Sequence, residues 1–300
     1  MKKKTYLIAL MAMALTLGSC SDNENGIGGE TSKYITVSTS IGNMTRVATD
    51  ANGGQTFEEG DEISVYAWTG APTVAPETSE RVVNNAINKL TNGAWVATPQ
   101  MLWKNNREKH YFIGVYPTAA ISDLSAGEYT FDANKQTESD LLVAVNPDGL
   151  SYSADAQQTV PLTFTHVMAK LAVNLTYKNQ WGGIPTVEKV VVGNAAKEAT
   201  INYLTKVVTP STTAKEDFSL PEITENTKYV SVIIPQEDVT QLTIVIGGKN
   251  FVYDNGTPFK LESGKITTVN LEVGRDEIKL GDVKITNWED GSTFSGEALN

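Results

Sequence analysis

The sequence predicts an all-β fold, and three observations support this prediction. From Lys33 onward, short segments repeatedly place apolar residues at every second position. These segments are rich in β-branched and aromatic residues and are bounded by Gly, Pro, Asn or Asp. No long stretch has a convincing helical period. Strands at this spacing are typical of β-sandwich domains.

The N-terminus has the three parts of a secretion signal. Three lysines are followed by an apolar run from Tyr6 to Leu17 and then by small residues ahead of Cys20. This run is too short for a membrane span, which needs about 20 apolar residues. The order Leu17, Gly18, Ser19, Cys20 resembles the lipobox of bacterial lipoproteins, in which the cysteine becomes the acylated N-terminus. An ordinary signal peptide with an incidental cysteine is the alternative.

The chain is then divided into four predicted segments. Residues 1–19 are the lipoprotein signal peptide, and residues 20–32 are a polar, acidic, glycine-rich segment that we expect to be a flexible tether. A proline- and glycine-containing cluster, Asn146 to Pro161, separates two groups of strands. We therefore predict an N-terminal β-sandwich domain at 33–158 and a C-terminal one at 159–300.

Two local predictions concern particular elements. The pattern of Glu77 to Leu90 favours a short helix. From Thr165 to Tyr177, apolar residues occupy every second position from Val167 to Tyr177, and the opposite face carries the polar residues His166, Lys170, Asn174 and Thr176, which predicts one long half-buried strand.

Composition argues against several functional classes. The formal net charge is −11, and removal of residues 1–19 with their three lysines changes it to −11 − 3 = −14. An acidic chain repels phosphates, so we expect no nucleic-acid partner. The sequence has one cysteine and only two histidines, His110 and His166, so we predict no metal site, no cofactor and no catalytic residues. Both histidines are interpreted as structural.

Several stretches, in order, resemble the fimbrillin superfamily, the FimA-like and Mfa-like subunits of type V pili. They are the lipobox at Cys20, "MTRVA" followed by "FEEGDEISVYAW", "NGAWVATPQMLWKNNREKHYFIGVYP", "KQTESDLLVAV", "LTFTHVMAKLAVNL", "VSVIIPQ" and "SGKITTVNLEV". Together they span almost the whole chain.

The resemblance implies a fold and an export route. The fold would be two transthyretin-like Greek-key β-sandwich domains. The route would be lipidation at Cys20, transport to the outer membrane, and proteolysis after Arg46, which would make Val47 the mature N-terminus. The alternative is that Arg46 is an exposed loop arginine that is never cut.

Loss of the strand that precedes Arg46 would expose backbone groups and an apolar groove, a situation that favours a strand from a neighbouring subunit. The C-terminal segment, residues 276–300, is the candidate donor strand. It contains two pairs of apolar residues, and the members of each pair are two positions apart, as in a strand that fills a groove with one face. These residues are Ile278, Leu280, Val283 and Ile285. An ordinary last strand of the second domain is the alternative.

Three functions compete at this stage. The first is a structural pilus subunit, assembled with copies of itself or with other fimbrillin subunits and supporting adhesion and biofilm formation. The second is a monomeric surface lipoprotein that binds glycans or host ligands, for which exposed tryptophans would be suitable. The third, a surface enzyme, has least support, because no acid, base and nucleophile constellation is found.

Overall fold

The computed structural model describes residues 33–42, 56–136, 138–153 and 158–288. Within these ranges the regular secondary structure is β-strand apart from two short 3-10 helices, Thr78–Glu80 and Asn179–Trp181. The prediction of an all-β protein is confirmed. None of the helices in the described ranges has the length and apolar character needed to span a membrane.

The described part of the chain contains nineteen strands. In chain order they are β1 (Thr36–Ile41), β2 (Glu62–Thr69), β3 (Val83–Thr91), β4 (Ala94–Thr98), β5 (His110–Tyr116), β6 (Gly127–Thr130), β7 (Leu142–Leu150), β8 (Thr159–His166), β9 (Ala169–Tyr177), β10 (Val187–Ala196), β11 (Glu198–Asn202), β12 (Val207–Pro210), β13 (Lys215–Leu220), β14 (Glu222–Thr224), β15 (Lys228–Ile233), β16 (Gln236–Ile246), β17 (Lys249–Leu261), β18 (Lys265–Val273) and β19 (Ile278–Asn287).

These strands form four sheets. The largest has seven strands in the order β1-β8-β7-β5-β2-β3-β4. A five-stranded sheet has the order β14-β15-β9-β18-β19, and a four-stranded sheet the order β13-β10-β16-β17. The short sheet β12-β11-β6 joins a strand from the first half of the chain to two from the second half.

The centre of the seven-stranded sheet is buried on both faces. In β2, Val65 and Ala67 belong to one apolar cluster, whereas Tyr66 and Trp68 belong to a larger cluster that continues among the other sheets. Successive side chains of a strand point to opposite faces, so burial of both sets requires a nearly continuous apolar sequence. This explains the run "ISVYAW", in which burial does not alternate.

The predicted helix at 77–90 is wrong. Most of this stretch forms β3, which pairs with β2, and its register shifts between the pairs Val65–Ala86 and Ala67–Val83. Two residues of β3 thus oppose one residue of β2, which is a β-bulge, and Asn85 within it has φ 57°. The bulge puts Val83 and Ala86 on one face at a three-residue spacing, and this spacing imitates a helical period.

The single strand predicted for 165–177 is two strands in different sheets. β8 ends at His166 in the seven-stranded sheet, and β9 begins at Ala169 in the five-stranded sheet. The connection, Val167 and Met168, is apolar and fully buried, so the sequence pattern continues through the break. Because β8 pairs with β1 and β7, the change of sheet comes after His166. The division into two Greek-key domains stays a prediction.

Candidate assembly site

The first strand occupies the edge of the seven-stranded sheet. β1 runs parallel to β8, with continuous register from Thr36 opposite Thr159 to Ile41 opposite Phe164. Hydroxyl groups reinforce this pairing, since Thr36 Oγ1 lies 3.2 Å from Thr159 Oγ1. Parallel neighbours cannot be joined by a tight hairpin, so β1 and β8 are brought together from distant parts of the sequence.

The other side of β1 is covered by the segment that follows β4. The backbone N–H of Ile35 donates to the carbonyl of Met101 at 3.0 Å, and the N–H of Trp103 donates to the carbonyl of Lys33 at 3.2 Å. The indole N–H of Trp95 donates to Thr39 Oγ1 at 3.0 Å. β1 therefore fills a gap between β8 and residues 95–103.

The inward side chains of Val37 in β1 and of Ile35, directly before β1, are part of the apolar core. Ile35 is 1% exposed and Val37 is 6% exposed, and both belong to the cluster that contains Val160, Leu162 and Phe164 of β8. Ser38, which follows Val37, faces outward and is exposed. Withdrawal of β1 would uncover these three residues of β8 together with its backbone edge, which leaves an apolar groove with unpaired hydrogen-bonding groups.

The predicted processing residues lie outside the described residues. Arg46 and Val47 fall within residues 43–55, which connect the end of β1 to the segment before β2. Cys20, the predicted lipidation site, lies outside them as well. In sequence, Arg46 follows β1 and precedes β2, so cleavage after it would separate β1 covalently from every other described strand.

The candidate donor residues lie on β19, which forms the edge of the five-stranded sheet by antiparallel pairing with β18. Ile278, Leu280, Val283 and Ile285 lie opposite residues of β18 that are at most 1% exposed, and opposite residues of an antiparallel pair share a face. The register shifts between Leu280, which lies opposite Leu271, and Val283, which lies opposite Val269. Because of this bulge, all four apolar residues of β19 point to the same side.

This apolar row is only partly covered. Leu280 is 36% exposed, Val283 41% and Ile285 38%, while Ile278 packs against the edge of the large core cluster. β19 is therefore paired through its backbone but leaves much of its apolar face accessible.

Trp288 fixes the end of β19. It is 7% exposed, and its ring stacks on that of His166 with 4.1 Å between the centroids and 7° between the planes. Lys170 Nζ lies 4.2 Å from the Trp288 centroid, a cation–π contact. Asp140 Oδ1 lies 2.8 Å from His166 Nδ1 and orients that ring. We missed this anchor in the sequence because its residues are widely separated.

Both histidines have structural contacts. His110 is fully buried, and its Nε2 accepts a hydrogen bond of 3.0 Å from the N–H of Lys104. Its Nδ1 lies 3.2 Å from the carbonyl of Glu108, which it can reach as a donor in the neutral ring. Burial lowers the pKa of His110, in agreement with a neutral ring. Among the described residues, no group of three or more His, Cys, Asp and Glu could hold a metal ion.

The five tryptophans do not form an exposed platform. Trp68 and Trp288 are buried, and Trp95, Trp103 and Trp181 are partly buried and pack against the apolar clusters. Trp181 also donates its indole N–H to the carbonyl of Val273 at 2.9 Å. The packing of these side chains gives no support to a glycan site built on exposed tryptophans, one of the options considered from the sequence.

Residues 45–288 match the sequence model of the family described as fimbrillin-like. The chain belongs to this family. Membership agrees with the predicted resemblance and indicates a pilus-subunit or adhesion role at the cell surface. A search of curated proteins finds no match.

Solved structures show the same fold at low sequence identity. A candidate cell adhesion protein from Bacteroides uniformis has a TM-score of 0.63 and 17% identity, with 87% of this chain and 98% of that chain covered. A similarly named protein from Bacteroides ovatus has a TM-score of 0.62 and 18% identity, with 85% and 98% covered. A fimbrial protein from Bacteroides vulgatus has a TM-score of 0.52 and 12% identity, with 84% and 99% covered.

Proposed function

We propose that this fimbrillin-like chain is a structural subunit of a cell-surface pilus that assembles by strand exchange after proteolysis. The observation that carries the proposal is the position of β1. It fills a groove between β8 and residues 95–103, and the chain leaves it directly before Arg46. The export route consists of lipidation at Cys20, transport to the outer membrane and cleavage between Arg46 and Val47.

Cleavage converts a filled groove into an acceptor. After β1 leaves, β8 presents an unpaired edge and the residues Val160, Leu162 and Phe164, which β1 had helped to bury. A strand from another subunit would restore both the backbone hydrogen bonds and the apolar contacts. Such a contact joins two different surfaces, so it need not close into a ring and can extend into a fibre.

β19 is the donor in this proposal. Its two apolar pairs, Ile278 with Leu280 and Val283 with Ile285, each repeat the two-residue spacing of Ile35 and Val37 in β1. Leu280, Val283 and Ile285 are already 36–41% exposed, so they lose little apolar contact when β19 leaves its own sheet. Stacking of Trp288 on His166 would hold β19 in place until an acceptor groove is available.

The role is structural rather than catalytic, with adhesion and biofilm formation as its consequences. Partners are further fimbrillin subunits, of this or another kind, and the outer membrane before processing. Support comes from the family and from the packing of both histidines in structural contacts.

The test is an Arg46→Ala variant produced in cells that display the protein. We expect the wild-type protein to give ladders of polymer and the variant to remain as an uncut monomer. Arg107→Ala is the matched control, because Arg107 is an exposed arginine distant in sequence from β1 and should leave the ladders unchanged. Polymer from the Arg46→Ala variant equal to wild type would contradict the proposal.

A further inference from the structure

A cavity of about 350 Å³ lies where the chain passes from the seven-stranded sheet to the five-stranded one. Small-molecule sites have volumes of roughly 300–1,000 Å³ and occur preferentially where structural units meet. The cavity is lined by the end of β8, the start of β18, the end of β19 and the turn before β12. Its lining residues are Thr165, His166, Val167, Lys206, Ser263, Gly264, Lys265 and Asn287.

Two ammonium groups line this cavity, and neither has a carboxylate partner among the residues that the structure describes. Lys206 Nζ donates to Thr165 Oγ1 at 3.0 Å, and Lys265 Nζ donates to Asn287 Oδ1, so both contact neutral oxygen atoms. Neither lysine takes part in an ion pair within the described ranges, in contrast to Lys89 and Lys135. No Asp or Glu is among the residues that line the cavity. A positive cavity is unexpected in a chain of net charge −11.

The backbone at Lys206 supports a role for its side chain. Lys206 has φ 63°, in the left-handed region that favours glycine. A residue with a side chain is strained there, and strained residues often occur at ligand sites. The Lys206 side chain is partly buried, and this burial lowers its pKa.

The wall of the cavity is well supported. The N–H of Gly264 donates to the carbonyl of Met168 at 2.9 Å, and the N–H of Trp288 donates to the carbonyl of Gly264 at 3.0 Å. Ser263 Oγ donates to the carbonyl of Val167 at 2.9 Å. The turn that carries Lys265 is thus tied to the connection between β8 and β9 and to the end of β19.

A wider groove of about 640 Å³ adjoins the cavity and shares Lys206 and Ser263 with it. It offers hydroxyl groups on Ser211 and Thr212, next to small apolar surfaces that include Pro210 and Pro235. Three acidic residues, Glu237, Asp238 and Glu262, also line it. A ligand with several negative charges would be repelled there, whereas an uncharged ligand with several hydroxyl groups would find hydrogen-bonding partners.

We propose that this site binds a carboxylate-bearing sugar, with the carboxylate between Lys206 and Lys265 and the neutral part of the sugar in the groove. Charge-assisted hydrogen bonds from two ammonium groups to one carboxylate fit the two lysines. The site is complete in the uncut protein, where β19 contributes Asn287, so the uncut protein is used to test it.

The test is a calorimetric or NMR titration of the uncut protein with glucuronate and N-acetylneuraminate. Glucose, which lacks the carboxylate of glucuronate, is the neutral control. We expect saturable binding of at least one of the two acidic sugars and none of glucose, with affinity falling as salt is raised. The two acidic sugars distinguish a uronic acid from a sialic acid as the source of the carboxylate.

Variants separate binding from folding. Lys206→Gly removes the ammonium group and relieves the positive φ, so it should keep or raise the melting temperature while weakening binding at least about tenfold. Lys265→Met should weaken binding similarly, and Lys284→Met, an exposed lysine on β19 outside the cavity, should have no effect. Lack of binding by both acidic sugars, equal binding of glucose, or unchanged affinity in the first two variants would overturn the proposal.

Discussion

Ile35 offers a quantitative test of the claim that β1 is a removable part of the core. The side chain is 1% exposed and packs in the cluster that includes Met101 and Leu162. Ile35→Ala removes three buried carbon atoms, which at about 0.8 kcal/mol each gives a transfer contribution of about 2.4 kcal/mol. The cavity that remains adds to this, so the uncut protein should lose about 2.5–4 kcal/mol, within the range for such substitutions.

The assay is urea unfolding of the uncut protein and of the assembled polymer. Ser38→Ala is the control, because Ser38 lies on the same strand but is exposed, and its replacement should change the free energy of unfolding by no more than about 0.5 kcal/mol. If β1 is cut away during assembly, an Ile35→Ala subunit should give polymers as stable as wild type. A loss of less than about 0.5 kcal/mol in the uncut protein, or an equal loss in the polymer, would refute the reasoning.

Two further predictions concern the second half of the chain. Trp288→Ala should accelerate hydrogen exchange along β19, because stacking on His166 and the contact with Lys170 are lost; unchanged exchange would show that Trp288 does not anchor the strand. Burial raises the pKa of Tyr203 from its usual 10.0 to about 12. The stability that the buried neutral phenol contributes is therefore complete below pH 10 and is lost as the pH rises through 12. Ultraviolet detection of phenolate should therefore show alkaline unfolding in that window, and full ionisation of Tyr203 in a folded protein at pH 10 would contradict this.

Local sequence patterns predicted most strands because β-branched and aromatic runs bounded by turn residues carry the signal directly. They failed where the backbone departs from regular pleating. The bulge near Asn85 gave β3 a helical spacing. The buried residues Val167 and Met168 concealed the break between β8 and β9, since apolar residues continue through it.

The candidate sites were predicted less completely. The apolar residues of β19 could be found from their spacing, and the register confirms that all four lie on one face. The parallel pairing of β1 with β8 joins residues more than a hundred positions apart, and no local pattern encodes it. The same holds for Lys206 and Lys265, which line one cavity because the turn before β12 and the turn before β18 both border it.

The most direct test of strand exchange is the N-terminal sequence and intact mass of subunits recovered from surface polymer. A start at Val47, with β1 absent from the polymer, is the result that the proposal predicts. Subunits that begin at a lipid-modified Cys20 and still contain β1 in assembled polymer would contradict it.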